Sequence, residues 1–123
     1  MVVLKNEVWM TTLEPTVGSE ISKTRPCIIF SPDVSNKFKK SVVIIPLTSK
    51  LKDYPSRVNC IFQNKTGQIV VDQIRTVDKI RLVKRLGTID DTTSKKVYEM
   101  IKIYFKYHEN FHLLSWQSQR YLY

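Results

Sequence analysis

The stretch Gly18-Ser19-Glu20-Ile21-Ser22-Lys23-Thr24-Arg25-Pro26-Cys27-Ile28-Ile29-Phe30 passes from a polar loop into an unbroken apolar run. Gly18 permits a backbone turn that other residues resist, and Pro26 fixes an extended chain where the strand-forming residues begin. Residues 27–31 therefore read as a strand, with Arg25 presented at its mouth. A guanidinium suits phosphate, because its planar fork donates two parallel hydrogen bonds and keeps its charge at any ordinary pH.

The same punctuation repeats on either side. Residues 4–13 contain Val8-Trp9-Met10-Thr11-Thr12-Leu13, rich in strand formers and stopped by Glu14-Pro15. Pro32-Asp33 and the polar Ser35-Asn36-Lys37 close the second strand. Residues 41–47 make a third, and Val42-Val43-Ile44-Ile45 is apolar on consecutive positions, as expected where both faces of a strand are covered. A basic loop, Lys50-Leu51-Lys52-Asp53-Tyr54-Pro55, follows. Residues 58–62 and 68–73 flank Asn64-Lys65-Thr66-Gly67, which predicts a hairpin. The basic segment 75–81 leads into a sixth short strand at 82–89. The period then changes: Val97, Met100, Ile101, Tyr104, Phe105 and His108 recur at helical spacing after the capping residues Asp90-Asp91-Thr92.

Six short strands and one amphipathic helix predict a mainly β fold with α: a small barrel over about 1–89, its open edges covered by a helix over about 91–108 or by a partner. A tail, 109–123, carries Phe111, Trp116, Tyr121 and Tyr123 and is expected to extend the helix or pack on a neighbouring surface. At 123 residues and 42% hydrophobic content the chain is expected to form one domain spanning 1–123 with a single core. It has no apolar run of the ~20 residues a membrane span needs. Its N-terminus meets charge at Lys5 and Glu7 rather than opening like a signal peptide, so a cytoplasmic protein is expected. Cys27 and Cys60, each inside a strand-like run, read as small buried hydrophobes.

Twenty Lys and Arg against eleven Asp and Glu give a net charge of +9, which predicts a polyanionic or acidic partner, nucleic acid first. Two polar points could join Arg25 on one barrel rim: Thr48-Ser49 at the end of the third strand, and Asp72-Gln73 before Arg75. Their structural uses are Thr48 capping its own loop and Asp72 pairing with Arg75, Lys79 or Arg81. No metal is expected: His108 and His112 stand four apart without a third ligand in sequence. With glycine only at 18, 67 and 87 there is no phosphate-cradling loop, so no nucleotide cofactor is expected.

The motifs Val8-Trp9-Met10 through Glu14-Pro15-Thr16, Gly18-Ser19-Glu20, Thr24-Arg25-Pro26, Pro46-Leu47-Thr48-Ser49, and Asp72-Gln73-Ile74-Arg75-Thr76-Val77-Asp78-Lys79 with Arg81-Leu82 follow one another in an order that closely resembles the MazF/PemK toxin family. The resemblance implies an SH3-like barrel that forms a homodimer and cuts single-stranded RNA in a sequence-specific, metal-independent way. It implies a 2',3'-cyclic phosphate and a 5'-hydroxyl as products. It also implies an acidic antitoxin whose tail lies across the RNA groove. Carried over by position, Arg25 and Thr48 are the implied catalytic pair, with Asp72 a second-rank general base. Glu20, Lys23, Ser49, Lys50, Gln73 and Arg75 are implied to position RNA. Two positions depart from the pattern: Asn6-Glu7-Val8 stands where the family usually has Gly-Asp-Ile or Gly-Asp-Val, and Val70 stands where one branch has an Arg that works with the Asp. Rival readings are a non-catalytic, CcdB-like gyrase poison on the same barrel and a nucleic-acid-binding barrel that has lost activity.

Overall fold

The computed structural model describes residues 1–13 and 24–106. Its elements in chain order are β1 (Glu7–Thr12), β2 (Thr24–Ile29), α1 (Asp33–Phe38), β3 (Ser41–Thr48), β4 (Arg57–Phe62), β5 (Lys65–Val70), β6 (Arg75–Asp78), β7 (Leu82–Thr88) and α2 (Asp91–Tyr104). Short 3-10 turns at Val71–Gln73 and Lys79–Arg81 precede β6 and β7.

The consecutive apolar residues of β3 organise the fold, because they bury both of its faces. Val42 and Ile44 pack with Trp9, Cys27, Ile29, Val77 and Leu82 on one face. Ile45 and Leu47 pack with Val8, Ile28, Val58, Ile69 and Val97 on the other. Each fully buried Ile contributes on the order of 2–3 kcal/mol, so β3 holds two cores together. The sheet order is β4-β5-β3-β2-β1-β7, with β6 also paired to β3. Ile44 is flanked by Ile29 of β2 and Arg75 of β6, whereas β5 takes the far end of β3 at Leu47 and Thr48. The sheet thus curls into a half-barrel, mainly β, with the C-terminal helix laid on it as the apolar pattern implied.

Asp90 caps α2, its Oδ1 accepting from the Thr93 amide at 2.9 Å. Val97 enters the core, with Met100 and Ile101 half-buried behind it. Tyr104 and Phe105 do not continue that buried face: both are exposed, and their rings meet edge to face at 5.0 Å. His108, His112 and the aromatic tail lie outside the described residues.

Five local expectations change. β2 begins at Thr24, so Arg25 stands inside the strand rather than before it. The strand read over 68–73 ends at Val70 in a 3-10 turn. The segment read as a basic connection contains a seventh strand, β6, in which only Val77 is buried. The polar stretch after β2 forms a short helix, α1, whose buried residue is Asn36, bonded to Ser31. The hairpin turns at Gln63 and Asn64, one residue earlier than read, with φ of 52° and 63°. Positive φ at both central residues matches the twist of paired strands, which is why this turn type joins hairpins. Gly67 is therefore inside β5 rather than in the turn.

Candidate active site

The β2–β3 ladder runs from Ile29↔Ile44 to Cys27↔Pro46, and just beyond that last pair Arg25 and Thr48 line the same groove. On its other side Thr48 pairs with Gln68 of β5. Arg25 and Thr48 thus reach one place through sheet register, although 23 positions separate them in sequence. They line a groove of about 440 Å3 together with Ser49 and Lys50 after β3, and with Gln63, Lys65, Thr66 and Gly67 from the β4–β5 hairpin. Met10, Leu47, Cys60, Phe62 and Leu86 give it an apolar floor. Cationic and hydroxyl groups above apolar and aromatic surface suit a chain of phosphates with bases attached.

Thr48 is held at three points, the first its ladder pairing with Gln68. Its Oγ1 accepts from the Lys50 amide at 3.1 Å, so the hydroxyl caps its own loop and keeps its hydrogen for donation elsewhere. Its carbonyl oxygen would lie 3.0 Å from a Cβ at position 67, so the third point is a backbone approach that only glycine allows without displacement. The sequence reading put Gly67 in the turn and so missed that approach, and no spacing marked Phe62, Lys65 or Leu86 as groove residues.

Asp72, Gln73 and Arg75 do not line this groove. Asp72 stands on the 3-10 turn after β5 and accepts from Ser56 Oγ at 3.1 Å, a partner the sequence did not suggest. Gln73 is exposed on the same turn, and Arg75 opens β6 beside Ile44. Glu20 and Lys23 lie outside the described residues.

Beneath Arg25, burial pushes the Cys27 thiol up to about 11, against the pull of a hydrogen bond from Thr11 and the charges of Arg25 and Arg75. Burial likewise raises the Cys60 thiol in the groove floor. Both cysteines are free and buried, so they pack as small apolar side chains. Among the described residues, no three His, Cys, Asp or Glu side chains gather closely enough to hold a metal ion, and no helix is long and apolar enough to cross a membrane.

The sequence of residues 5–105 matches the family described as PemK-like, MazF-like toxin of type II toxin-antitoxin system. Endoribonuclease PemK of Escherichia coli is 31% identical over 99 residues, covering 76% of this chain and 74% of its own. Endoribonuclease EndoA of Bacillus subtilis is 29% identical over 109 residues, covering 84% of this chain and 94% of its own. A crystal structure of MazE-MazF from Deinococcus radiodurans superposes with a TM-score of 0.76 over 88% of this chain and 99% of the matched one, at 21% identity, and so shares the fold. With a family match across both the groove and the helix, the chain belongs to the PemK-like, MazF-like toxins of type II toxin–antitoxin systems.

Proposed function

We propose that the chain is a metal-independent endoribonuclease that cuts single-stranded RNA in the groove between Arg25 and Thr48. The observation that carries the reading is the convergence of those two residues, from different strands, with Ser49, Lys50 and Lys65 in one groove over an apolar floor. The relatives named endoribonucleases support the reaction class. In the reaction, the 2'-oxygen of RNA attacks the neighbouring phosphorus and the bond from phosphorus to the 5'-oxygen breaks. The 2'-hydroxyl gives up its proton, and the leaving 5'-oxygen takes one up. The products are a 2',3'-cyclic phosphate and a 5'-hydroxyl. Arg25 holds the non-bridging oxygens and stabilises the charge that builds on them, while the Thr48 hydroxyl donates to the same phosphate. Lys50 and Lys65 hold neighbouring phosphates and Phe62 offers a ring to a base.

A homodimer and an acidic antitoxin complete the proposal. The net charge of +9 and the cationic groove favour an acidic chain that competes with RNA for the same surface. Asp72 does not line the groove of its own chain and stays outside this role assignment. The test is incubation of the purified protein with a long, weakly structured RNA in EDTA, beside Arg25→Ala, with mapping of the cut ends. Discrete cuts with 5'-hydroxyl ends are expected, and Arg25→Ala should lower kcat about hundredfold or more. Intact RNA with wild-type protein would sink the nuclease reading. Inhibition of DNA supercoiling in a parallel gyrase assay would move the CcdB-like reading ahead.

A further inference from the structure

The backbone after Thr48 leaves the sheet, and residues 49–52 are exposed and outside regular structure. What fixes them is the side chain of Gln68, which is 7% exposed. Its Oε1 accepts from the Lys52 amide at 2.9 Å, and its Nε2 donates to the Lys52 carbonyl at 3.0 Å. One primary amide therefore pairs with both backbone groups of Lys52, as a neighbouring strand would. The remaining positions are also filled: Nε2 donates to Asn59 Oδ1 at 3.0 Å, and Oε1 accepts from Arg57 Nη1 at 2.8 Å. Four partners of alternating sense are satisfied in only one orientation of the amide, so its direction is set by the network.

Arg57 carries the constraint to the groove. The same Nη1 that donates to Gln68 donates to the Lys50 carbonyl at 3.0 Å, and the Lys50 amide donates to Thr48 Oγ1 at 3.1 Å. Residue 50 is thus bonded to Arg57 through its carbonyl and to the Thr48 hydroxyl through its amide. Arg57 occupies this position while its Nε is buried and has no hydrogen-bond partner among the described residues. A buried donor left unmet is costly and needs a reason. The two bonds from Nη1, and the guanidinium lying 5.4 Å from the Tyr54 ring, hold it there.

We propose that Gln68 and Arg57 are positioning residues that fix the Thr48 hydroxyl and the Lys50 backbone against Arg25. The inference rests on the reading of the groove as a nuclease site. Neither residue lines the groove itself. Glutamine is required because only an amide supplies a donor and an acceptor side by side: glutamate keeps the bonds from Lys52 and Arg57 but has no donor for the Lys52 carbonyl.

The test uses the full chain and an RNA oligonucleotide containing one mapped cut site. Gln68→Glu is expected to lower kcat about tenfold and Gln68→Leu about hundredfold, with KM changing less than about threefold, because a misplaced reacting group costs turnover more than binding. Arg57→Lys, which keeps the charge but not the fork, should behave like Gln68→Glu. Lys96→Ala, at an exposed residue of α2 outside this network, should stay within about twofold of wild type. On a Thr48→Ala background, Gln68→Leu should cost less than about twofold more, because the two residues act as one unit. A full, additive loss on that background, or an unchanged kcat in both Gln68 variants, overturns the proposal.

Residue-resolved amide exchange without RNA keeps the inference separate from the nuclease reading. The Lys50 and Lys52 amides should exchange at least about tenfold faster in Gln68→Leu, which removes the acceptor of the Lys52 amide, than in wild type, while the β2 core amides do not change. Equal protection at 50 and 52 overturns the clamp whether or not RNA is cut. Failure of wild type to cut RNA counts against the nuclease alone.

Discussion

Glu7 is a carboxylate buried at the start of β1 and surrounded by donors. Its Oε1 accepts from the Leu4 amide at 2.8 Å and from Trp9 Nε1 at 3.0 Å, and its Oε2 pairs with Arg85 Nε at 2.7 Å. Burial pushes its pKa up, but these hydrogen bonds and the Arg85 charge outweigh burial, and the net shift is downward. A depressed carboxylate stabilises the fold above the pKa it has when unfolded, and that contribution is lost as pH falls through the ordinary glutamate range toward the folded value. Glu7→Gln keeps the shape without the charge. It is expected to cost about 1–3 kcal/mol at pH 7, and urea unfolding should show the gap to wild type shrinking as pH drops below about 4.5. A constant gap would show that the charge contributes nothing. Asn6 explains the neighbouring departure from the family pattern. It adopts φ of 72°, the left-handed region where glycine is the usual residue and asparagine the best substitute. Its Oδ1 also accepts from Ser94 Oγ at 2.9 Å, tying β1 to α2, a bond glycine could not make.

Between elements, the approach of β5 to the end of β3 governs the site. A methyl group at position 67 would meet the Thr48 carbonyl at 3.0 Å, and that neighbour is backbone, so the strands themselves must give way. Gly67→Ala is expected to destabilise the protein by about 1–2 kcal/mol and to lower cleavage at least tenfold by shifting Thr48. Thermal unfolding and the single-site oligonucleotide assay measure the two effects. Full activity in a folded variant would mean that Thr48 tolerates displacement. The strands legible in sequence are β1, β3, β4 and β7 and the apolar half of β2, with α2 marked by its cap and by Val97. β6 was hidden because one of its four residues is buried and its strand character comes from pairing with Ser41–Ile44, far away in sequence. α1 was hidden because its buried residue is a polar asparagine held by Ser31. Arg25 and Thr48 were legible through ordered motifs, whereas Phe62 and Lys65 enter the groove only through a hairpin whose approach no local pattern encodes.

At the scale of the whole molecule, charge and groove make different claims about binding. The chain carries +9, but its cations are spread: Lys84 and Arg85 lie on β7, and Lys95, Lys96 and Lys102 lie on α2, where Lys95 faces Asp91 at 3.6 Å and Lys102 faces Glu99 at 3.0 Å. Exposed pairs of that kind leave little net attraction for a distant phosphate. If RNA lies in the groove, its phosphates meet Arg25, Lys50 and Lys65. Single-stranded nucleic acid releases roughly 0.7 counterion per neutralised phosphate, so three contacts predict a slope of about −2 for log K against log salt. Lys65→Ala should reduce the slope to about −1.4, and Lys96→Ala should leave it unchanged. Thr48→Ala protein, which keeps all three cations but is expected to cut slowly, allows the measurement by fluorescence anisotropy across a salt series. A slope much steeper than −2 that responds equally to both lysine substitutions would place RNA on the general basic surface rather than between β2, β3 and the β4–β5 hairpin.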